Sequence, residues 1–227
     1  MVKWTMRKGQ AVGPESPDIA LDVATALSDL AALRPVFHSE ADLQHELAIG
    51  LRDLGWRIRL EHPIAPCAAG ALDIVARNGD AVAAVELKYV TRGLEHRVGD
   101  EVFRLKNHAA HDHRRYDIVK DIMRLEDWCR VWPRAKGVAV VITNNPLLWR
   151  GPQRAGTADV AFTVADGDTL TGRLTWGASA KPGTTRGRAE PLTLRGAYRM
   201  AWRAYSQLDA ANGEFRSLIV SVGCDQD

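Results

Sequence analysis

Apolar residues recur at helical spacing in two segments near the start of the chain. Residues 20–33 carry the first pattern, and Pro35 is expected to end that helix. In the second segment Ser39 is a good N-cap and Gly55 is a stop signal. Between them runs a stripe of leucines at positions 43, 47, 51 and 54. The chain is therefore expected to open, after a polar arm, with two helices.

The pattern then changes to the alternation and the continuous apolar runs that are typical of β-strands. Asn78-Gly79 is a strong signal for a two-residue hairpin turn. Residues 92–107 are expected to be irregular, and the apolar spacing over 109–131 predicts a long helix. The strands predicted in this part of the chain are residues 56–60, 71–77, 81–90 and 137–143.

The C-terminal third has weaker patterns. Residues 192–208 favour a strand followed by a helix, and residues 178–191 favour a loop. The remaining strands are predicted at residues 160–164, 169–175 and 217–222. From residue 39 the order is αβββαβ with a mostly β tail, which predicts an α/β domain with a central mixed sheet flanked by helices.

This order divides the chain into three parts. Residues 1–38 form the arm and first helix, residues 39–150 form the core, and residues 151–227 form a β-rich extension that completes the same domain. No apolar run approaches the roughly 20 residues of a membrane helix, and the N-terminus lacks the apolar region of a signal peptide. We therefore expect a cytoplasmic protein that has no membrane partner.

Composition narrows the function classes. The 227 residues are 46% hydrophobic and 26% charged, which excludes wholesale disorder. Cys67, Cys129 and Cys224 are odd in number and far apart, which argues against a disulfide framework and a structural zinc site. The net charge of +2 creates no global field, so any case for nucleic-acid binding rests on local charge.

The candidate chemistry lies on the predicted hairpin. The expected turn places Asp73 opposite Ala84, so that Glu86 is its diagonal neighbour and Lys88 shares the same sheet face. Two adjacent carboxylates repel each other, and a hard divalent cation relieves the repulsion. The carbonyl of Leu87 is expected to be a further oxygen ligand. A bound Mg²⁺ would polarise a phosphoryl oxygen, and Lys88 is expected to orient water or to stabilise developing negative charge.

These residues carry a resemblance to a known family. A helix with an acid, then Asp73, then Glu86-x-Lys88 in an αβββαβ order resembles the PD-(D/E)XK nuclease superfamily. The Asp-to-Glu spacing and the Glu-Leu-Lys tripeptide are similar to those of archaeal Holliday junction resolvases. The helix that begins at Glu40 is similar to the acid-xxx-Gln helix of VRR-type nucleases. The resemblance covers about residues 39–143, and Leu72 stands where many members have Pro.

The resemblance implies a restriction-endonuclease-like core and Mg²⁺- or Mn²⁺-dependent hydrolysis of phosphodiester bonds in DNA. It implies that Asp73 and Glu86 ligate the metal, that Glu40 completes the metal shell, and that Lys88 is the catalytic lysine. Gln44, one turn after Glu40, is expected to face nucleic acid. Glu46 is an alternative helix acid, and Glu40 is preferred because it opens the helix. Because cutting two strands takes two sites, a homodimer is a further expectation.

Three other interpretations stay open. Glu86 and Lys88 also fit a solvated ion pair on an edge strand. Alternatively, the chain is a catalytically inactive nuclease-like fold that binds nucleic acid or protein. RNA in place of DNA is a third choice that the sequence does not decide.

Basic residues outside the hairpin are candidates for phosphate contacts. Arg114, Arg115 and Lys120 lie near the start of the long helix, and Arg115 aligns with its apolar face near Lys88. Alternatively, these residues and Asp121 lie on a solvated face of the long helix, where their charges pair with one another. Arg186 and Arg188 occupy a basic loop that is expected to contact the phosphate backbone of a nucleic acid. Zinc binding by the histidines at 108, 111 and 113 is disfavoured because a fourth ligand is lacking.

Overall fold

The computed structural model describes residues 17–64, 70–132, 134–151 and 156–223. The described helices are α1 (Ile19–Leu33), α2 (Glu40–Asp53), α3 (His111–Val131), α4 (Pro146–Trp149) and α5 (Pro182–Thr185), with a 3₁₀ turn at Val160–Phe162. The described strands are β1 (Arg57–Pro63), β2 (Ala71–Asn78), β3 (Ala81–Val90), β4 (Leu94–Val98), β5 (Glu101–Leu105), β6 (Lys136–Thr143), β7 (Thr169–Leu174), β8 (Leu192–Arg199), β9 (Trp202–Gln207) and β10 (Glu214–Val222).

Six strands form the central sheet in the order β1-β2-β3-β6-β10-β9. β3 and β6 run parallel, whereas the other neighbouring pairs are antiparallel, so the sheet is mixed. A parallel pair needs a crossover connection, and α3 supplies it. β9 and β10 add to the far side of β6, so the C-terminal part of the chain extends the same sheet.

Helices cover both faces of this sheet. Successive strand residues point to opposite faces, so neighbours in β2 and β3 belong to different cores. Val75 and Ala84 lie in the cluster that contains the apolar face of α3, whereas Ile74 and Val85 lie in the cluster formed with α1 and α2. The fold is therefore a mixed α/β architecture with a helix-flanked sheet.

The N-terminal helices confirm the predicted pattern. α1 covers Ile19–Leu33, and α2 begins at Glu40 directly after its cap, where Ser39 Oγ accepts a hydrogen bond from Asp42 N–H. α2 ends at Asp53, and Gly55 follows in the left-handed region with φ of 93°. Glycine reaches this conformation without steric cost, so the chain reverses here into β1.

Several secondary-structure predictions were wrong. Residues 92–107 form the hairpin β4-β5, in which buried Leu94, Phe103 and Leu105 alternate with charged positions. Residues 192–208 form two strands because β8 strictly alternates buried and exposed residues, a period that no helix satisfies. Residues 160–164 were predicted as a strand and contain the 3₁₀ turn instead, and the predicted loop at 178–191 contains α5.

The hairpin of β2 and β3 exists, but its turn is one residue later than predicted. Asn78 pairs with Ala81, so Gly79 and Asp80 form the loop, with a positive φ at Gly79. A glycine at the first loop position suits a type II′ turn. The pairing register therefore shifts by two residues, which keeps every side chain on its predicted face.

Some sequence predictions fall outside the described residues, namely the arm over 1–16, Cys67 and Cys224. Cys129 is buried. None of the helices in the described segments has both the length and the apolar content needed to cross a lipid bilayer.

Gly137 permits the close approach of α3 to β6. A Cβ atom at this position would lie 2.9 Å from Cβ of Leu125 and 3.2 Å from Cβ of Val222. We expect Gly137→Ala to lower the free energy of unfolding by about 1–3 kcal/mol, because two packed elements must separate. Denaturant unfolding measures this change. Gly183→Ala is the control, since no atom lies within 4 Å of its added Cβ. Equal midpoints for the two variants would contradict the packing argument.

Candidate active site

Strands β2 and β3 bring three ionic side chains to one face of the sheet. The observed register, continued by one residue, places Asp73 directly opposite Glu86 rather than opposite Ala84 as predicted. Asp73 extends the strand pairing through its side chain, because Leu87 N–H donates to Asp73 Oδ2 at 2.6 Å. Lys88 lies two residues beyond Glu86 and therefore shares its face.

The first residue of α2 contacts the same end of β3. Oε2 of Glu40 accepts a hydrogen bond from Tyr89 N–H at 2.7 Å. Glu46, the alternative helix acid, instead pairs with Arg34 at 3.1 Å. The helix start therefore places Glu40, and not Glu46, beside the ionic residues of β3.

Gln44 forms hydrogen bonds with the strands that carry Asp73 and Glu61. Its Nε2 donates to the carbonyl of Asp73 at 2.7 Å and to Oε1 of Glu61 at 2.9 Å. The predicted contact between Gln44 and nucleic acid is contradicted, because the side chain is buried and both amide protons are used within the protein. Glu61 has a φ of 49°, which non-glycine residues rarely adopt, and its bond to Gln44 holds this backbone next to β2.

Helix α3 contributes two residues that the motif did not identify. Oδ2 of Asp121 lies 2.8 Å from Nζ of Lys88, and Nη2 of Arg124 lies 2.9 Å from Oε1 of Glu86. Arg124 also reaches Asp121 at 3.4 Å. The site therefore combines side chains from α2, β2, β3 and α3.

The assignment of Asp121 to a solvated helix face was wrong, since its exposed fraction is only 5%. Its sequence position carried the signal. Asp121 is three residues after Ile118 and four before Leu125, so it lies on the apolar stripe of the helix. A carboxylate on such a stripe requires a buried partner, and Lys88 is that partner.

Four carboxylates in this cluster face two cationic groups. Burial raises the pKa of Glu40 and of Asp121, and it raises the pKa of Glu86 to about 9, with the Asp121 charge adding to the effect. Burial lowers the pKa of Lys88, but the carboxylates of Asp121 and Glu40 outweigh burial, so the net shift is upward. Lys88 is therefore firmly cationic, and the fully ionised cluster has a formal excess of two negative charges.

The donor set fits a hard divalent cation in its chemistry. Carboxylate oxygens are the ligands that Mg²⁺ and Mn²⁺ prefer, and the charge excess matches one such ion. Among the described residues, no group of three or more His, Cys, Asp or Glu side chains is arranged as a ready-made metal site. Oε1 of Glu86 and Oδ2 of Asp121 are buried without a hydrogen bond and meet cationic groups instead. The carbonyl of Leu87 accepts from Nζ of Lys88 at 2.9 Å.

Two of the predicted phosphate-binding arginines are held within the protein. Arg115 is buried, forms an ion pair with Asp159 and donates to the carbonyl of Leu147 at 2.7 Å. It is therefore closed to phosphate and does not reach Lys88, which contradicts the prediction. Arg188 is bound by both carboxylate oxygens of Asp117 at 2.7 and 2.8 Å. This bidentate pair fastens the basic loop to α3.

The other basic residues predicted to contact phosphate form no ion pair with the four carboxylates of the site among the described residues. Lys120 and Arg186 are exposed, and Arg114 is half-buried.

His108 and His111 form hydrogen bonds with separate partners. His108 Nδ1 accepts a hydrogen bond from Thr91 N–H, and His111 Nδ1 lies against the side-chain amide of Asn145. The described histidines thus form no shared ligand set.

Comparison with known proteins does not extend this description. No protein-family model matches the chain, and no curated protein or solved structure matches it significantly.

The raised pKa of Glu86 predicts a pH-dependent stability. Above about pH 4.5 an unfolded glutamate is ionised, whereas folded Glu86 keeps its proton until about pH 9. The folded state then binds more protons, so the free energy of unfolding falls as pH rises through this window. In EDTA, Glu86→Gln should reduce this loss by an amount on the order of 1 kcal/mol or more.

Thermal unfolding at about pH 5 and about pH 8 measures this effect. Glu95→Gln is the matched control, because the side chain of Glu95 is 71% exposed. If wild type and Glu86→Gln show the same pH dependence, Glu86 does not hold an elevated pKa.

The buried pair of Arg115 and Asp159 predicts a structural role. Arg115→Met should lower the free energy of unfolding by about 3–5 kcal/mol, because it leaves a buried carboxylate without its partner. Lys120→Met, on the exposed face of α3, should change it by no more than about 0.5 kcal/mol. Denaturant unfolding compares the two variants. An unchanged free energy of unfolding in Arg115→Met would contradict the structural role of this pair.

Proposed function

We propose that this protein is a metal-dependent nuclease with a restriction-endonuclease-like core that hydrolyses phosphodiester bonds in DNA. One observation carries the proposal. Carboxylates from four elements surround Lys88 and, when all of them are ionised, exceed the cationic charge of the cluster by two. Such an excess is unfavourable in a half-buried site unless a cation compensates it.

The order of elements supports the same proposal. α2, β1, β2, β3, α3 and β6 follow one another in the αβββαβ order that the resemblance implies, with β4-β5 as an insertion. Asp73, Glu86 and Lys88 lie on the second and third strands of this order, and Glu40 lies on its first helix. The hairpin and the helix start thus bring the motif together from separate parts of the chain.

In this proposal, each residue of the site has a separate role in the reaction. Asp73, Glu86 and Glu40 would hold Mg²⁺ or Mn²⁺, with the carbonyl of Leu87 as a further oxygen. When bound, the metal would stabilise phosphate charge and make water a better nucleophile. Lys88 keeps its proton because Asp121 and Glu40 stabilise the ammonium form. Lys88 therefore acts as a hydrogen-bond donor to developing negative charge rather than as a base.

A second candidate function is a nuclease-like fold that binds nucleic acid or protein without cleaving it. It is favoured by the contacts within the site, since Arg124 lies against Glu86 and Asp121 forms an ion pair with Lys88. This candidate predicts binding that weakens with salt, with no metal affinity and no hydrolysis.

Cleavage assays test the proposal. Plasmid, single-stranded DNA, branched DNA and RNA are incubated with the protein in Mg²⁺, Mn²⁺ or EDTA. Metal-dependent cleavage of DNA is expected, and Asp73→Asn and Lys88→Met should each reduce it by about 100-fold or more. Asp80→Asn and Lys106→Met, at exposed positions, are the matched controls.

The same variants separate the outcomes. Cleavage that survives both site variants would refute the site assignment. Calorimetric titration with Mn²⁺ adds a readout that does not depend on activity, because Glu86→Gln should weaken binding. Absence of both Mn²⁺ binding and cleavage in the wild-type protein would favour the binding module.

A further inference from the structure

Three arginines lie on the outer edge of the central sheet, on β1 and β2. Arg57 pairs directly with Arg77 across the antiparallel ladder, and Arg59 pairs with Val75. Paired residues of such a ladder share a face, so all three guanidinium groups lie on the side that carries Val75. The three arginines are exposed, whereas Val75 is buried at their base.

These residues enclose a groove rather than a flat surface. Arg57, Arg59, Arg77, His62 and Val75 line a concavity of about 260 Å³. We call this feature the arginine groove.

The charge of the arginine groove is uncompensated within the described part of the chain. No carboxylate there lies within ion-pair distance of Arg57, Arg59 or Arg77, and Arg59 donates only to the carbonyl of Ile58. Like charges placed directly opposite each other on paired strands destabilise the sheet. An anion in the groove would relieve this repulsion, and guanidinium groups suit phosphate particularly well.

The arginine groove leads toward the candidate active site. Arg77, Val75 and Asp73 alternate along β2 on one face, and four residues of strand from Arg77 to Asp73 span about 13 Å. A single phosphate cannot extend over that length, whereas a nucleic-acid strand carries phosphates at regular short intervals. The alignment of the groove with Asp73 therefore favours a polyanion that continues into the site.

We infer that the arginine groove binds the phosphate backbone of a nucleic-acid strand and directs it toward Asp73 and Glu86. The inference rests on the proposed function for the identity of the polyanion. It assigns backbone contacts to Arg57, Arg59 and Arg77, at positions that carry no base-reading role.

Binding in EDTA tests the inference without requiring cleavage. A fluorescent oligonucleotide, single-stranded or duplex, is titrated between about 50 and 200 mM salt. Arg57→Thr/Arg77→Thr should raise Kd by about tenfold and reduce the salt slope by about 1.5–2, because two phosphate contacts are lost. Threonine suits a strand, so the fold should persist.

The matched control removes the same charge elsewhere. Arg173→Thr/Arg203→Thr replaces exposed arginines on β7 and on β9, the opposite edge of the sheet. A higher Kd for the oligonucleotide in the groove variant alone supports the inference. Equal weakening in both variants, or an unchanged Kd in the groove variant, would overturn it. Circular dichroism and thermal unfolding establish that both variants are folded.

The outcome is separable from that of the proposed function. Asp73→Asn should abolish cleavage while retaining oligonucleotide binding in EDTA. Groove-dependent binding by a wild-type protein that never cleaves would keep the inference and reject the nuclease. Metal-dependent cleavage with unaltered binding by Arg57→Thr/Arg77→Thr would keep the nuclease and reject the groove.

Discussion

The burial of ionic groups between β3 and α3 is the constraint on which the rest of this structure depends. Glu86 and Asp121 are almost completely removed from water, and each must meet a cationic group from the facing element. Charges in such surroundings are costly when unpaired. The sheet and the long helix are therefore joined by two kinds of contact, an apolar core and an ionic cluster beside it.

The charges of this cluster are only partly compensated, which links the stability of the fold to the proposed function. Lys88 and Arg124 leave a formal excess of two negative charges, and the pKa of Glu86 is raised first by burial and then by the neighbouring charge of Asp121. A fully balanced network would stabilise the fold better but would leave no net charge to attract a cation. Functional sites commonly retain unfavourable local interactions of this kind, and the surrounding core must supply the stability that they remove.

The charge on this face of the sheet changes sign along the length of the strands. Near the hairpin turn and at the open edge it carries the arginines of β1 and β2, and toward the start of α2 it carries the carboxylates. An extended anionic ligand that bridges both ends needs a cation at the acidic end, because its phosphates would otherwise be repelled there. The arginine groove and the proposed metal site thus support each other physically.

The sequence by itself determined the two N-terminal helices, the β2-β3 hairpin and the shared face of Asp73, Glu86 and Lys88. These features depend on local periodicity, and the two-residue error in register left every face unchanged. Only the tertiary structure decided the partners of these residues. Asp121 and Arg124 are far from the hairpin in sequence, and Arg115 meets Asp159 across 44 positions. Spacing along a helix shows which side is buried, but the identity of the group packed there depends on how distant segments meet.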